Sequence, residues 1–250
     1  MELKQQLEKF SPIDLNQMDR VKLLRRTDTK YLVSKKKLSD LIPFLINDYL
    51  VLEINGKRTS SYHTNYLDTP EKKYFQQHHQ GKLTRHKVRF RTYIESELSF
   101  LEVKLKHKGE TNKKRITSVL ENSLDVEQVA FLSQWIPETP EQLQTSLENT
   151  FERITLVHKT EQERVTIDLN LNFIDGSKRV NLAEQVIIEI KQNRFNRNSI
   201  ISKLLRTKYL RPIRLSKYCI GCILMDDNLK YNRFKSKLLK INQIQNVWNS

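Results

Sequence analysis

Charged and apolar residues alternate along four stretches of this chain, and the clearest of these lies at 84–93. There Arg85, Lys87, Arg89 and Arg91 occupy every second position. Side chains of a β-strand point alternately to its two faces, so an extended segment would place these four cations in one row. Like charges in a row repel one another. This face therefore either contacts water or holds an anion.

The same alternation at 101–106, 164–170 and 187–191 predicts antiparallel strands with one apolar and one charged face. The full set of predicted strands is 59–67, 84–93, 99–107, 151–158, 163–173 and 185–191. Helices are predicted from apolar spacing, from capping residues such as Ser34 and from stop signals such as Gly81. The predicted helices are 34–49, 68–79, 123–135, 138–150, 198–209 and 217–229. The segment 106–115 is predicted to be a basic loop.

Strands and helices interleave from end to end, which predicts a single α+β domain over 1–229. A closed or nearly closed antiparallel sheet would bring the charged faces together inside it. The remaining residues, 230–250, are basic and amphipathic, and we expect them to form a weakly packed helical tail.

A chain of 250 residues with 38% hydrophobic residues, five Gly and six Pro is typical of a globular protein. Lys and Arg number 44 against 29 Asp and Glu, a formal net charge of +15. This charge indicates polyanions, phosphorylated small molecules or acidic membrane surfaces as partners. No uninterrupted apolar run of about 18 residues occurs, so no membrane span is expected. The N-terminus lacks the apolar core of a signal peptide, so a cytoplasmic location is expected.

Few of the usual catalytic patterns occur in the sequence. Cys219 and Cys222 have CxxC spacing without a second pair, so they are expected to be ordinary buried thiols. There is no P-loop, GxGxxG or zinc-cluster pattern, and no Ser or Cys sits in a nucleophile elbow. What remains is Lys and Arg with a few carboxylates on predicted strands. Phosphoryl transfer needs little more, because its catalysis is mostly positioning and charge neutralisation beside a divalent metal.

Glu189 is the most informative of these carboxylates. It lies on an otherwise apolar strand and shares a face with Lys191. Burial of a lone Glu costs several kcal/mol unless the carboxylate is paired or binds a metal. An ion pair with a neighbouring cation and ligation of Mg²⁺ or Mn²⁺ together with phosphate oxygens both satisfy this requirement. For Glu102, beside Lys104, the salt bridge is the favoured interpretation.

Seven short motifs, in order, resemble the VTC domain, the polyphosphate polymerase domain of the vacuolar transporter chaperone complex. That domain belongs to the triphosphate tunnel metalloenzymes, alongside the CYTH proteins. The motifs lie at 27–33, 66–69, 87–91, 101–104, 163–168, 188–191 and 215–218. The resemblance runs from about Arg26 to Tyr218, which is most of the chain.

The resemblance implies an antiparallel β-barrel tunnel of about eight strands with surrounding helices. It also implies that a nucleoside triphosphate and polyphosphate bind there and that Glu189 holds Mn²⁺ or Mg²⁺. The implied catalytic residues are Arg89, Arg91, Lys104 and Lys191. The implied phosphate-binding residues are Lys30, Arg89, Arg91, Lys104, Lys159, Arg164, Lys191, Arg214, Ser216 and Lys217.

This sequence departs from the family pattern at three places. His158-Lys159 stands where an Arg is usual before the Arg164 motif, so the charge is kept without the bidentate fork of a guanidinium. Asp28 precedes Lys30 in place of the alternating glutamates of the CYTH branch, which weakens an assignment as a cyclase or triphosphatase of that type. Arg214 stands where a Lys is often seen.

Three functions remain open from the sequence. The first is a polyphosphate polymerase-type phosphotransferase, and the second is a tripolyphosphatase or triphosphatase that uses the same tunnel. The third is a non-catalytic binder of polyphosphate or nucleic acid. Nucleic acid is less favoured, because the aromatic residues on the basic strands are few and Phe90 falls on the face opposite Arg89 and Arg91.

Overall fold

A computed structural model describes residues 2–19 and 27–246 of the chain. Within these ranges there are eleven strands: β1 Ser11–Ile13, β2 Thr27–Ser34, β3 Tyr49–Leu52, β4 Ser60–Asp68, β5 Arg85–Tyr93, β6 Leu98–His107, β7 Glu110–Thr117, β8 Gln144–His158, β9 Glu163–Asp175, β10 Lys178–Leu182 and β11 Gln185–Gln192. The α-helices in the same ranges are α1 Leu3–Leu7, α2 Leu15–Asp19, α3 Lys35–Leu41, α4 Lys73–Gln80, α5 Val126–Ser133, α6 Ile200–Thr207, α7 Lys217–Met225 and α8 Lys235–Asn246. The predicted α+β class is confirmed.

Eight of the strands form one antiparallel path in the order β2-β11-β9-β8-β4-β5-β6-β7. Strand β10 pairs with the end of β9, β3 pairs with β8, and β1 pairs in parallel with β3. The path agrees with the expected barrel of about eight strands. It is not closed by strand pairing, since β2 and β7 remain its two ends.

The connection that precedes α7 bridges β2 at one end of this path to β5. The backbone N–H of Ile213 donates to the carbonyl of Lys30 on β2 at 2.7 Å. Three residues later, Ser216 Oγ accepts a hydrogen bond from Lys87 Nζ on β5 at 2.9 Å. The segment 211–216 therefore links two strands that lie five places apart in the sheet.

Apolar residues pack on both faces of the sheet. On the outer face, α3 and α6 cover β2, β8, β9 and β11, and α4 and α5 cover the apolar side of β5 and β6. Val88 and Phe90, which alternate with the cations of β5, are buried there. Burial of each such side chain stabilises the fold by roughly 1.5–3 kcal/mol. We call the opposite face, which carries Lys30, Arg89 and Lys191, the inner face.

Helix α7 fills the apolar part of the inner face. Tyr218 and Ile220 of α7 pack against aromatic and aliphatic side chains of β4, β8 and β9. Ser216 caps the helix by accepting a hydrogen bond from the Cys219 backbone at 3.3 Å. Cys219 and Cys222 are free and buried, as predicted.

Two of the predicted elements were wrong. The segment 138–150, predicted as a helix, is a 3-10 turn at Pro140–Gln142 followed by the start of β8. This part of β8 pairs with β4 and β9, and that pairing overrides the local helical spacing. The predicted loop 106–115 contains a hairpin, in which Lys108 and Gly109 turn with φ of 47° and 97° between β6 and β7.

The C-terminal tail is helical over α8, as expected, but it is not weakly packed. Phe234 and Ile241 are buried in the apolar cluster around α7. Gln185 Nε2, at the start of β11, donates to the Ile241 carbonyl at 3.0 Å. These contacts fix the tail against the body of the sheet.

Candidate functional site

Strand register places cations directly opposite other cations on the inner face. Arg85 lies opposite Lys106, and Lys87 lies opposite Lys104. Lys104 is in turn opposite Lys113 of β7. Like charges in cross-strand positions destabilise a sheet. An arrangement of this kind indicates a surface that receives an anion.

Strands β2, β11, β9 and β8 form the second wall of the inner face. Here each carboxylate lies beside a cation on the neighbouring strand, as with Lys30 opposite Glu189 and Arg153 opposite Asp168. Lys191 lies opposite Arg164. This wall carries two paired carboxylates, Asp168 and Glu189, whereas the wall formed by β5 and β6 carries Glu102 among a larger number of cations.

The two walls meet around Phe151 of β8. The Phe151 ring is stacked on that of Tyr62 with 5.0 Å between the centroids. The guanidinium carbons of Arg91 and Arg153 lie 5.7 Å and 5.3 Å from the Phe151 centroid, and Lys217 Nζ lies 3.0 Å from it. Cations from β5, β8 and α7 therefore lie around one aromatic ring, that of Phe151.

Two cations contact each of three inner-face carboxylates. Glu102 pairs with Arg89 at 2.6 Å and with Lys113. Asp168 pairs with Arg153 at 2.6 Å and with Lys217 at 2.5 Å. Glu189 pairs with Lys30 at 2.6 Å and with Lys191 at 2.7 Å. We call these three sets, each a carboxylate with its two cations, the acid-centred groups of the inner face.

The pairing keeps all three acids ionised. Burial raises the pKa of Glu102, Asp168 and Glu189, but the neighbouring cations outweigh it and hold each pKa below the usual range. A carboxylate in this condition is a poor proton acceptor. It is well suited to orienting cations.

Further cations on the inner face have no carboxylate partner among residues 2–19 and 27–246. These are Lys87, which donates to Ser216, Arg91, which donates to Thr64 Oγ1 at 3.2 Å, and Lys104. Arg89, burial and Arg91 together lower the pKa of Lys104 well below its ordinary value. Burial lowers the pKa of Lys87 to about 8, with further lowering by Arg89. The site therefore holds more positive charge than its own acids neutralise.

Most of the residues predicted from the sequence lie on the inner face, but Lys159 does not. Lys159 is exposed beyond the end of β8, and its Nζ donates to the Asn47 carbonyl at 2.6 Å. The prediction that Lys159 takes the place of the usual Arg was wrong in position, because Arg153 supplies a guanidinium on β8 itself. Arg153 was missed because its neighbours on the inner face of β8, Phe151 and Thr155, are uncharged. The sequence of β8 therefore shows no row of charges.

Sequence reasoning also missed two lysines. Lys113 was assigned to a loop, and its position on β7 places it beside Glu102. Lys87 was not among the predicted phosphate-binding residues, and it joins β5 to the start of α7. The exposed Arg214 lies at the edge of the site, near Lys106, whose pKa is lowered by burial and then by Arg85 and Arg214.

Comparison with known families decides what kind of domain this is. The sequence profile of the VTC domain matches residues 25–226. This chain belongs to the VTC domain family. The match runs from two residues before β2 to the residue that follows α7, and therefore covers the whole eight-stranded path.

Two solved structures resemble this chain at low sequence identity. A candidate adenylate cyclase from Bacillus halodurans is 15% identical with a TM-score of 0.51, over 77% of this chain and 94% of that one. A candidate adenylate cyclase from Vibrio parahaemolyticus is 12% identical with a TM-score of 0.47, over 79% of this chain and 98% of that one. The Bacillus halodurans structure therefore shares the fold of this chain. Proteins of curated function give no sequence match.

The described residues lack two features, a helix that could span a membrane and a cluster of metal-binding side chains. Of the helices described here, none has both the length and the apolar character needed to cross a bilayer. Among residues 2–19 and 27–246, no three His, Cys, Asp or Glu side chains come together as a metal-binding group. A metal cage made of protein side chains alone is thus not present in this part of the chain.

Proposed function

We propose that the inner face of this VTC domain binds a chain of phosphates and that the domain is a metal-dependent phosphotransferase of the polyphosphate polymerase type. It would move the terminal phosphate of a nucleoside triphosphate onto a polyphosphate chain. The observation that carries this proposal is the excess of inner-face cations over carboxylates, with Lys87, Arg91 and Lys104 held near one another and near Arg89. A polyanion relieves this repulsion.

We assign two roles to the polar residues of the site. Arg89, Arg91, Lys104 and Lys191 would contact the phosphoryl group that is transferred, where charge must be neutralised. The remaining groups would hold the other phosphates, with Arg153 added to those predicted from the sequence. These phosphate-holding residues are Lys30, Arg153, Arg164, Arg214, Ser216 and Lys217.

A divalent cation fits this site if phosphate oxygens complete its ligand set. Mg²⁺ is often bound by one or two carboxylates together with substrate phosphates. Glu189 is suited to be the protein ligand for Mn²⁺ or Mg²⁺, since its two oxygens pair with the ammonium groups of Lys30 and Lys191, which a phosphate would attract. When bound, the metal would neutralise charge on the phosphates.

The electrostatics favour transfer to phosphate over transfer to water. A phosphate oxygen at the end of a chain is already ionised near neutral pH, so it attacks without losing a proton to the protein. Water needs a general base. The acids Glu102, Asp168 and Glu189 are each engaged by two cations and have lowered pKa values, which makes them weak bases.

The decisive experiment follows both products. The protein is incubated with ATP and Mn²⁺ or Mg²⁺, nucleoside diphosphate is quantified, and acid-labile polymer is separated on a gel. We expect diphosphate and polymer to form together. We also expect Arg91→Gln, which removes a cation with no carboxylate partner, to slow turnover by about 100-fold.

Lys36→Gln serves as the matched control, because Lys36 is an exposed cation on α3. It should turn over at the wild-type rate. Orthophosphate without polymer would replace the polymerase assignment with a tripolyphosphatase or triphosphatase. Tight phosphate binding with no nucleotide turnover would leave a non-catalytic binder.

A further inference from the structure

A second group of cations lies at one end of the inner face, beyond Lys87 on the side of Ser216. Arg85 and Lys106 are directly opposed on β5 and β6, and the Arg85 Nε atom is buried without a hydrogen-bond partner in the described part of the chain. Arg214, on the connection that bridges β2 and β5, lies near Lys106. This group begins where Lys87 contacts Ser216.

The C-terminal tail, which lies beyond the VTC match, contributes to the same group. The guanidinium of Arg233 packs on Gly81 so closely that a Cβ on that glycine would lie 1.7 Å from Nη1. Lys237 Nζ lies 3.4 Å from the Arg233 carbonyl and 4.4 Å from the centroid of the Phe234 ring. The buried Phe234 and Ile241 fix this part of the tail in place.

The thiol of Cys219 marks the point where cations of the body and of the tail approach one another. Burial raises the pKa of this thiol, while Lys87, Lys237 and Arg85 all lie close enough to lower it. Burial lowers the pKa of Lys237, and Arg214 lowers it further. Body and tail therefore form one positive region, and we call Arg85, Lys106, Arg214 and Lys237 the basic vestibule.

The basic vestibule contains no acid that balances its charge. None of its four residues forms an ion pair with a carboxylate in residues 2–19 and 27–246, in contrast to the acid-centred groups deeper on the inner face. His78 at the end of α4 faces the same region, and burial together with Lys87, Arg85 and Lys106 lowers its pKa to about 2. His78 is thus a neutral side chain at working pH.

We infer that the basic vestibule extends the phosphate-binding site, is built in part by the tail and is joined to that site through Arg214, and that it holds the portion of a polyphosphate chain lying beyond the acid-centred groups. This inference rests on the proposed function. A triphosphate engages the part of the inner face that carries the acid-centred groups, whereas a longer inorganic polyphosphate engages that part and the basic vestibule in one continuous chain. Longer polyphosphate is therefore the preferred ligand of this chain.

Chain length and site can be separated by experiment. We would measure the affinity of the full chain for inorganic tripolyphosphate and for medium-chain polyphosphate by calorimetry at fixed salt. Wild type should bind medium-chain polyphosphate more tightly. The double variant Lys106→Gln, Lys237→Gln should weaken polyphosphate binding by about tenfold, the effect of losing roughly one charge-assisted contact. Its affinity for tripolyphosphate should change by less than the affinity for polyphosphate.

The matched control is Lys36→Gln, Lys57→Gln, which removes the same amount of charge from exposed positions. It should leave both affinities near wild type, and thermal unfolding should show that both double variants are folded. Equal loss for both ligands, or equal loss in the control variant, would overturn the inference. So would equal competition by single-stranded RNA, which would make the region a general polyanion surface. If wild type bound neither phosphate ligand, the proposed function itself would fail.

Discussion

Lys104 offers a direct test of whether the inner face is built for an anion. It lies opposite both Lys87 and Lys113, and Arg89, burial and Arg91 lower its pKa well below the ordinary value. Lys104→Met keeps most of the apolar stem and removes the ammonium group. Because this relieves repulsion in the free protein, we expect a gain of about 1 kcal/mol in the free energy of unfolding.

Arg89→Met is the contrasting variant, on β5 opposite Glu102. Glu102 has no exposed side-chain surface, and without Arg89 it would keep only Lys113 as an ion-pair partner. Breaking a buried ion pair by removing one partner costs about 3 kcal/mol. In a domain of this size 1 kcal/mol corresponds to about 2–4 °C in Tm. Lys104→Met should therefore melt slightly above wild type and Arg89→Met well below it.

Thermal unfolding in phosphate-free buffer of low ionic strength gives both values. Added tripolyphosphate at about 100 times its Kd should stabilise wild type by about 2.7 kcal/mol. Lys104→Met should lose most of this ligand-induced gain while keeping its higher starting Tm. If Lys104→Met instead melted as low as Arg89→Met, Lys104 would be a structural residue, and the argument from unbalanced charge would be refuted.

Three further predictions follow from the titration of the site and from Glu189. Tripolyphosphate binding near pH 8 should take up protons, because burial lowers the pKa of Lys87 and Lys191 to about 8 and a bound anion raises it again. Proton uptake makes the binding heat depend on the ionisation enthalpy of the buffer, so identical calorimetric heats in different buffers would contradict the prediction. Without an anion, stability should rise between pH 8 and about 10, since the unfolded lysines bind protons that the folded ones have lost; a Tm that falls over this range would count against it. Glu189→Gln should abolish metal-dependent turnover but retain tripolyphosphate binding in EDTA, because Lys30 and Lys191 are then released from their carboxylate partner; loss of binding in EDTA would assign Glu189 a structural role.

Alternation alone predicts the strands whose two faces differ in chemistry. For β5 the apolar side meets α4 and α5 while the charged side faces inward, so each face carries its own signal in the sequence. Strand β7 gives no such signal, because most of its side chains are exposed at an end of the sheet path. The start of β8 at Gln144 is polar and becomes a strand through pairing with β4, to which β9 adds from Glu148 onward.

The partners of the charged residues were harder to predict than the faces. Arg153 and Asp168 are 15 residues apart and meet because of the register between β8 and β9. Lys217 reaches the same acid from the start of α7. Each of these contacts depends on tertiary positions of separate elements, which local patterns do not contain.

The sharing of each inner-face acid between two cations bears on how a long ligand would move. When a phosphate attracts Lys30 away from Glu189, Lys191 still balances the buried carboxylate, and the same holds for Lys217 and Arg153 at Asp168. One cation of each pair can therefore follow the ligand while the other stays in place. A phosphate chain could then advance along the face in small steps, with no step that leaves a buried acid unpaired.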